Sequence, residues 1–171
     1  MGTITLAEAV KLKSILTKKV HELSSELQRV AFVQVEKGEE PKPSKRLLTE
    51  VDTELEDVRK DIRLLDKLVY RANIDHTLPF KGEDYTIVEA IEFATQLRAR
   101  AATYKEFAQS EKEEIQYGYS DGTTVYRVAL FDPEEYRLKA IELEKDAHKL
   151  SNLINAKNYT IEIDFDDSKY F

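Results

Sequence analysis

Thr5-Leu6-Ala7-Glu8-Ala9-Val10 returns later in the chain as Thr86-Ile87-Val88-Glu89-Ala90-Ile91. In each stretch the threonine is placed to cap a helix N-terminus. The glutamate three residues on reaches back to the cap's backbone N–H, which makes a capping box. The carboxylates also sit at the positive end of the helix dipole. Ile4 and Tyr85 precede the caps and supply the apolar half of a hydrophobic staple. Capping boxes are common, so the pair gains its weight from the matches that follow it.

Leu65-x-x-Leu68-Val69 leads to Asn73, and Leu150-x-x-Leu153-Ile154 leads to Asn158. Val58 falls opposite Leu143 and Leu55 opposite Ala140 when these ends are aligned. A short extended run follows each asparagine, from Asp75 to Phe80 and from Tyr159 to Phe165. Each half therefore reads as helix, distal connection, helix and short strand. An internal duplication sets the fold reading. The expectation is a single domain, 1–171, with repeats at 1–80 and 81–165. Its class is mainly α: four long helices as two antiparallel helical hairpins related by a pseudo-two-fold, with a β-hairpin and short strands at the ends.

The seams support four helices. Leu6, Ala9, Leu16, Val20, Leu23, Leu27 and Val30 alternate three and four apart, interrupted only at Lys13, as in a coiled coil. Leu12 and Ile15 widen that stripe. The second helix carries Leu48, Val51, Leu55, Val58, Ile62, Leu65, Val69 and Ala72 without a break, with Leu64 and Leu68 beside them. The third is read to about Glu114, on a seam of Val88, Ile91, Ala94, Leu97, Ala101, Tyr104 and Ala108. The fourth opens at Asp132-Pro133, a good cap followed by proline at the first helical position. Its seam is Tyr136, Ala140, Leu143, Ala147, Leu150 and Ile154. Tyr159, Ile161, Ile163 and Phe165 then alternate at strand period. The tail from Asp166 is expected to fray. Phe32-Val33-Gln34-Val35 reads either as a last helical turn or as a strand, and Glu36 to Arg46 is a loop broken by Gly38, Pro41 and Pro43.

Asp121-Gly122 suits a two-residue type I′ turn. That register pairs Tyr119 with Thr124, Tyr117 with Tyr126 and Ile115 with Val128. Tyr117, Tyr119 and Tyr126 then share a face that needs cover, because a lone hairpin is marginal in water. The segment at Phe32–Val35 is one candidate cover, and another subunit or a ligand is the other. The expected interface residues are accordingly Tyr117, Tyr119, Tyr126, Leu64 and Leu68.

Composition bounds the function. Asp and Glu number 33 against 26 Lys and Arg, a formal charge of −7, without the basic footprint that nucleic acid requires. There is no cysteine, so no disulfide, thiolate nucleophile or cysteine zinc site. The N-terminus lacks a signal-peptide layout and no apolar run reaches the ~18 residues of a membrane span. A cytoplasmic protein without a membrane partner is expected. His148 lies four residues after Glu144 on one helix face, but two ligands make no site, and the paired Glu-x-x-His of di-iron bundles does not occur. No P-loop, dinucleotide fingerprint or nucleophile elbow is present. No catalytic, cofactor-binding or metal residue is therefore assigned, and no cofactor or small molecule.

The opening Leu6-Ala7-Glu8-Ala9, the run Leu23 to Val30, the loop Gln34-Val35-Glu36-Lys37-Gly38-Glu39 and the stretch Leu68 to Asn73 resemble the DIP1984 family of uncharacterised bacterial proteins. The likeness covers most of the chain. It implies a helical hairpin protein without an assigned activity or catalytic residues. Some members carry the label septicolysin, which implies a pore-forming toxin. Cholesterol-dependent cytolysins of that kind have a secretion signal and a membrane loop bearing Trp and Cys, whereas this sequence contains neither residue. Its hairpin arms also fall short of the ~9–11 residues of a spanning strand. The leading expectation is a non-enzymatic helical protein acting through self-assembly or partner binding, as a homo-oligomer. The alternatives are a small-ligand or metal-dependent enzyme with a site near the hairpin end, and a septicolysin-like toxin.

Overall fold

The structure, a computed structural model, describes residues 2–118 and 122–171. The chain divides into two compact units, Met1–His76 with Lys157–Phe171, and Thr77–Ala156.

The first unit holds β1 (Thr3–Thr5), α1 (Leu6–Val30), α2 (Leu48–Asp75) and β6 (Glu162–Asp164). Both halves of the capping box form at α1. The Thr5 hydroxyl accepts from the Glu8 N–H at 3.2 Å, and the Glu8 carboxylate accepts from the Thr5 N–H at 2.7 Å. α2 starts without a cap hydroxyl, and the Glu50 carboxylate alone takes up the Leu47 N–H at 2.9 Å. The helices pack antiparallel. Leu6, Ala9, Leu12, Leu16 and Leu23 are buried on one, and Val51, Leu55, Val58, Leu65, Val69 and Ala72 on the other. Lys13, the interruption in the seam, lies at the edge of this core. Its ammonium reaches Asp66 at 2.5 Å and sits 5.8 Å from the Tyr70 ring centre. Lys19–Glu54 at 2.9 Å and Arg46–Glu54 at 2.5 Å continue the line of ion pairs, and Arg46–Glu26 at 3.0 Å closes it.

β1 and β6 pair antiparallel, with Ile4 opposite Ile163 and Thr5 opposite Glu162. Ile161, Ile163 and Phe165 are buried, as the alternation predicts, but Tyr159 is 61% exposed and lies outside the strand. The tail is docked, contrary to the expectation of fraying. The Tyr170 hydroxyl donates to Asp61 at 2.6 Å, Lys169 reaches the same carboxylate at 3.2 Å, and the Lys19 ammonium sits 5.8 Å from the Tyr170 ring centre. Phe32–Val35 is neither helix nor strand, and Phe32 is 82% exposed.

The second unit holds β2 (Thr77–Phe80), β3 (Glu83–Thr86), α3 (Ile87–Ala108), β4 (Glu113–Gln116), β5 (Val125–Val128) and most of α4 (Pro133–Asn158). β2 and β3 join through Lys81 and Gly82, both at positive φ, and pair with Thr86 opposite Thr77 and Tyr85 opposite Leu78. The capping box at Thr86 and Glu89 repeats the one at Thr5. α3 and α4 run antiparallel, linked by Lys105–Glu144 and by the Arg98 guanidinium donating to Ser151 Oγ at 3.0 Å.

Two sequence expectations are corrected in α3. The inner face is Ile87, Ala90, Ala94, Leu97 and Ala101, so Val88 and Ile91 are displaced from the core by one position and are 48% and 43% exposed. The helix also ends at Ala108, short of Glu114, because pairing with β5 takes residues 113–116 into a strand.

The two small ribbons correspond closely. In each, the strand that runs into a capped helix pairs with a strand that leaves a long helix, and the cap threonine is opposite the partner's first paired residue. Leu78 and Phe80 occupy in β2 the places of Ile163 and Phe165, and all four are buried.

Candidate interaction surface

The β4–β5 hairpin is built on an aromatic root. Phe107 near the end of α3 meets Phe131 at 5.1 Å and Tyr136 at 5.6 Å, and Tyr136 stands edge-on to Tyr104 at 4.7 Å between ring centres. Each such pair adds roughly 0.5–1.5 kcal/mol beyond area burial. The Lys112 ammonium donates to the carbonyls of Ala129 and Phe131, both at 3.0 Å, and the Ala129 N–H donates to the Lys112 carbonyl at 2.9 Å. Asp132 caps α4 through the Glu134 N–H at 3.0 Å. This cluster escaped the sequence reading because its members come from three separated stretches. The aromatic residues at Tyr104, Phe107, Phe131 and Tyr136 were the available signal.

Beyond the root the ladder pairs Glu113 with Val128, Ile115 with Tyr126 and Gln116 with Val125. The expected register is therefore shifted by two residues, with Tyr126 opposite Ile115 instead of Tyr117. Gly118 has φ +108°, outside strand geometry, and the ladder stops at Gln116. A shift of two preserves which side chains share a face. Ile115, Tyr126 and Val128 still lie together, and they are 46%, 52% and 46% exposed. Tyr117 is 89% exposed. Tyr119 and its pairing with Thr124 lie outside the described residues.

The other expected interface residues fall in the first unit. Leu64 is 45% exposed, while Leu68 is less exposed and half-buried. Of the flanking pair on α1, Leu12 belongs to the core and Ile15 is exposed. The structure thus places Leu64 at the surface of the first unit, and Tyr117 and Tyr126 at the surface of the second.

The carboxylate of Glu144 pairs with Lys105 and not with His148. Among the described residues no three His, Asp or Glu side chains converge as a metal-binding group, and no helix is long and apolar enough to cross a membrane. The perturbed carboxylates belong to structural contacts. Glu8 and Glu89 are held below the ordinary glutamate range by the cap backbone N–H bonds and then by the cap hydroxyls. Burial and the Asp61 hydrogen bond push the Tyr170 hydroxyl up.

A conserved protein of unknown function from Corynebacterium diphtheriae has a similar solved structure. It is 25% identical, with a TM-score of 0.66 over 95% of this chain and 100% of that one. No curated protein matches the sequence. The model of a family of unknown function, DUF6847, matches residues 13–163. A match over that much of the sequence settles membership: the chain belongs to the DUF6847 family.

Proposed function

We propose that this protein is a non-enzymatic cytoplasmic protein that acts by self-assembly, with the β4–β5 arm as one of its contact surfaces. The reading includes one domain built by duplication of residues 1–80 and 81–165. The observation that carries it is the apolar face of the arm: Ile115, Tyr117, Tyr126 and Val128 are each 46% exposed or more, and Leu130 beside them is 96% exposed. A two-stranded ribbon gains little stability by itself, and soluble monomers rarely expose contiguous apolar patches of this kind. Tyrosine suits such a contact because it combines a large apolar ring with a polar tip.

The test is sedimentation of the wild type beside a Tyr126→Ser, Ile115→Ser double variant. Both positions are exposed, so the variant is expected to keep the wild-type circular dichroism while its association weakens at least tenfold. Unchanged association of the variant would remove the arm from the interface. The two other readings of the sequence have direct tests. Dose-dependent dye release from lipid vesicles would support septicolysin-like pore formation, and stoichiometric metal in the purified protein would support a metal-dependent enzyme.

A further inference from the structure

Each of the two helices that open with a capping box carries a groove beside its first turns. The grooves are lined from the same five places, counted from the cap threonine: the residue before it, and the third, sixth, seventh and tenth after it. On α1 these are Ile4, Glu8, Lys11, Leu12 and Ile15. On α3 they are Tyr85, Glu89, Glu92, Phe93 and Gln96. The groove volumes are about 390 and 460 Å³, in the ~300–1,000 Å³ range of ligand pockets.

On α1 the chain itself shows what such a groove receives. Asp167 and Phe171 of the C-terminal tail complete its lining, and the neighbouring Lys169 and Tyr170 fasten the tail to Asp61. A short segment thus brings an aromatic ring and a carboxylate to a groove that contains Lys11. On α3 the lining is completed only by Val88, from the helix itself. The chemistry of the cradle also differs. Glu92 stands at the place of Lys11, Phe93 at that of Leu12 and Tyr85 at that of Ile4. The Tyr85 and Phe93 rings lie 5.4 Å apart, centre to centre. Both charged lining residues are glutamates. Glu89 is taken up by the cap, while the Glu92 carboxylate accepts from Gln96 at 3.1 Å and, among the described residues, pairs with no lysine or arginine. A carboxylate beside aromatic faces suits an organic cation, held by charge and by the rings.

We propose that the α3 groove docks a peptide segment of a partner protein in which an aromatic residue stands near lysine or arginine. It would lie there as the tail lies on α1, with the charge reversed. The inference does not depend on self-assembly, because a monomer keeps the groove.

The test is isothermal titration of the intact protein with two synthetic peptides. One has the sequence of residues 166–171, and the other is the same peptide with Asp166→Lys and Asp167→Lys. The lysine peptide is expected to bind the wild type at least tenfold more tightly than the acidic one. Glu92→Lys, at an exposed site, is expected to keep the wild-type circular dichroism and to reverse that order. Glu106→Lys makes the same charge change farther along α3 and is expected to leave the order as it was. Absence of binding by the lysine peptide overturns the proposal, and so does unchanged binding in Glu92→Lys. An equal loss in Glu106→Lys overturns it as well, since the attraction would then belong to net charge and not to the groove.

Discussion

Thr5 and Thr86 hold their helices by the same bonds, and Glu8 and Glu89 return them in kind. Replacing either threonine with alanine removes a hydroxyl acceptor from the first turn. Each change is expected to cost about 1 kcal/mol, read as a lower midpoint in chemical denaturation; an unmoved midpoint in both variants would refute the cap energetics. The glutamates add a pH dependence. Their folded pKa values are depressed, first by the cap N–H bonds, so their stabilisation is present above the ordinary glutamate range. It is lost as pH falls through that range toward the depressed values. Melting curves of the double variant Glu8→Gln, Glu89→Gln should therefore fall less steeply than wild type on acidification, and parallel curves would argue that the carboxylates are uncoupled from folding. These positions were legible in the sequence because a capping box is local: its partners lie three residues apart and no tertiary contact is needed to recognise it.

Elements were legible where one period ran unbroken. The α2 seam from Val51 to Ala72 reads directly as the buried face, and the α4 seam does so too. α3 was harder because it is apolar on two sides, and periodicity alone does not say which side faces inward. The seam that began at Val88 and Ile91 crossed from the outer face to the inner one. In the hairpin the expected turn at Asp121-Gly122 falls partly outside the described residues, and the ladder stops at Gln116, just before Gly118 leaves strand geometry. The docked tail was illegible because Asp61 and Tyr170 meet only after α2 and β6 are in place. Tyr170→Phe deletes the hydroxyl bond at 2.6 Å and leaves the ring. A loss of roughly 0.5–1.5 kcal/mol is expected, with faster amide exchange in the last residues; wild-type exchange there would show that the bond does not hold the tail.

At the scale of the whole chain, similarity and compactness draw different boundaries. The duplication proposed above divides the chain between residues 80 and 81, whereas the compact units divide after His76 and after Ala156. β6 follows α4 in sequence but pairs with β1, and β2 follows α2 but pairs with β3. Each unit thus completes its small ribbon with a strand that follows a helix of the other unit. The matched residues of the sequence do not announce this exchange, since strand partners are chosen by edges brought together in space. The activity was illegible for a different reason. The exposed apolar residues on α3 and on the hairpin carry no chemical motif, so they speak of contact and not of reaction. The central claim is therefore that the chain self-associates, and light scattering across a dilution series at micromolar concentration tests it most directly. The account predicts a mass of at least twice 19.8 kDa that falls on dilution or in the Tyr126→Ser, Ile115→Ser double variant, and a constant 19.8 kDa at every concentration would contradict it.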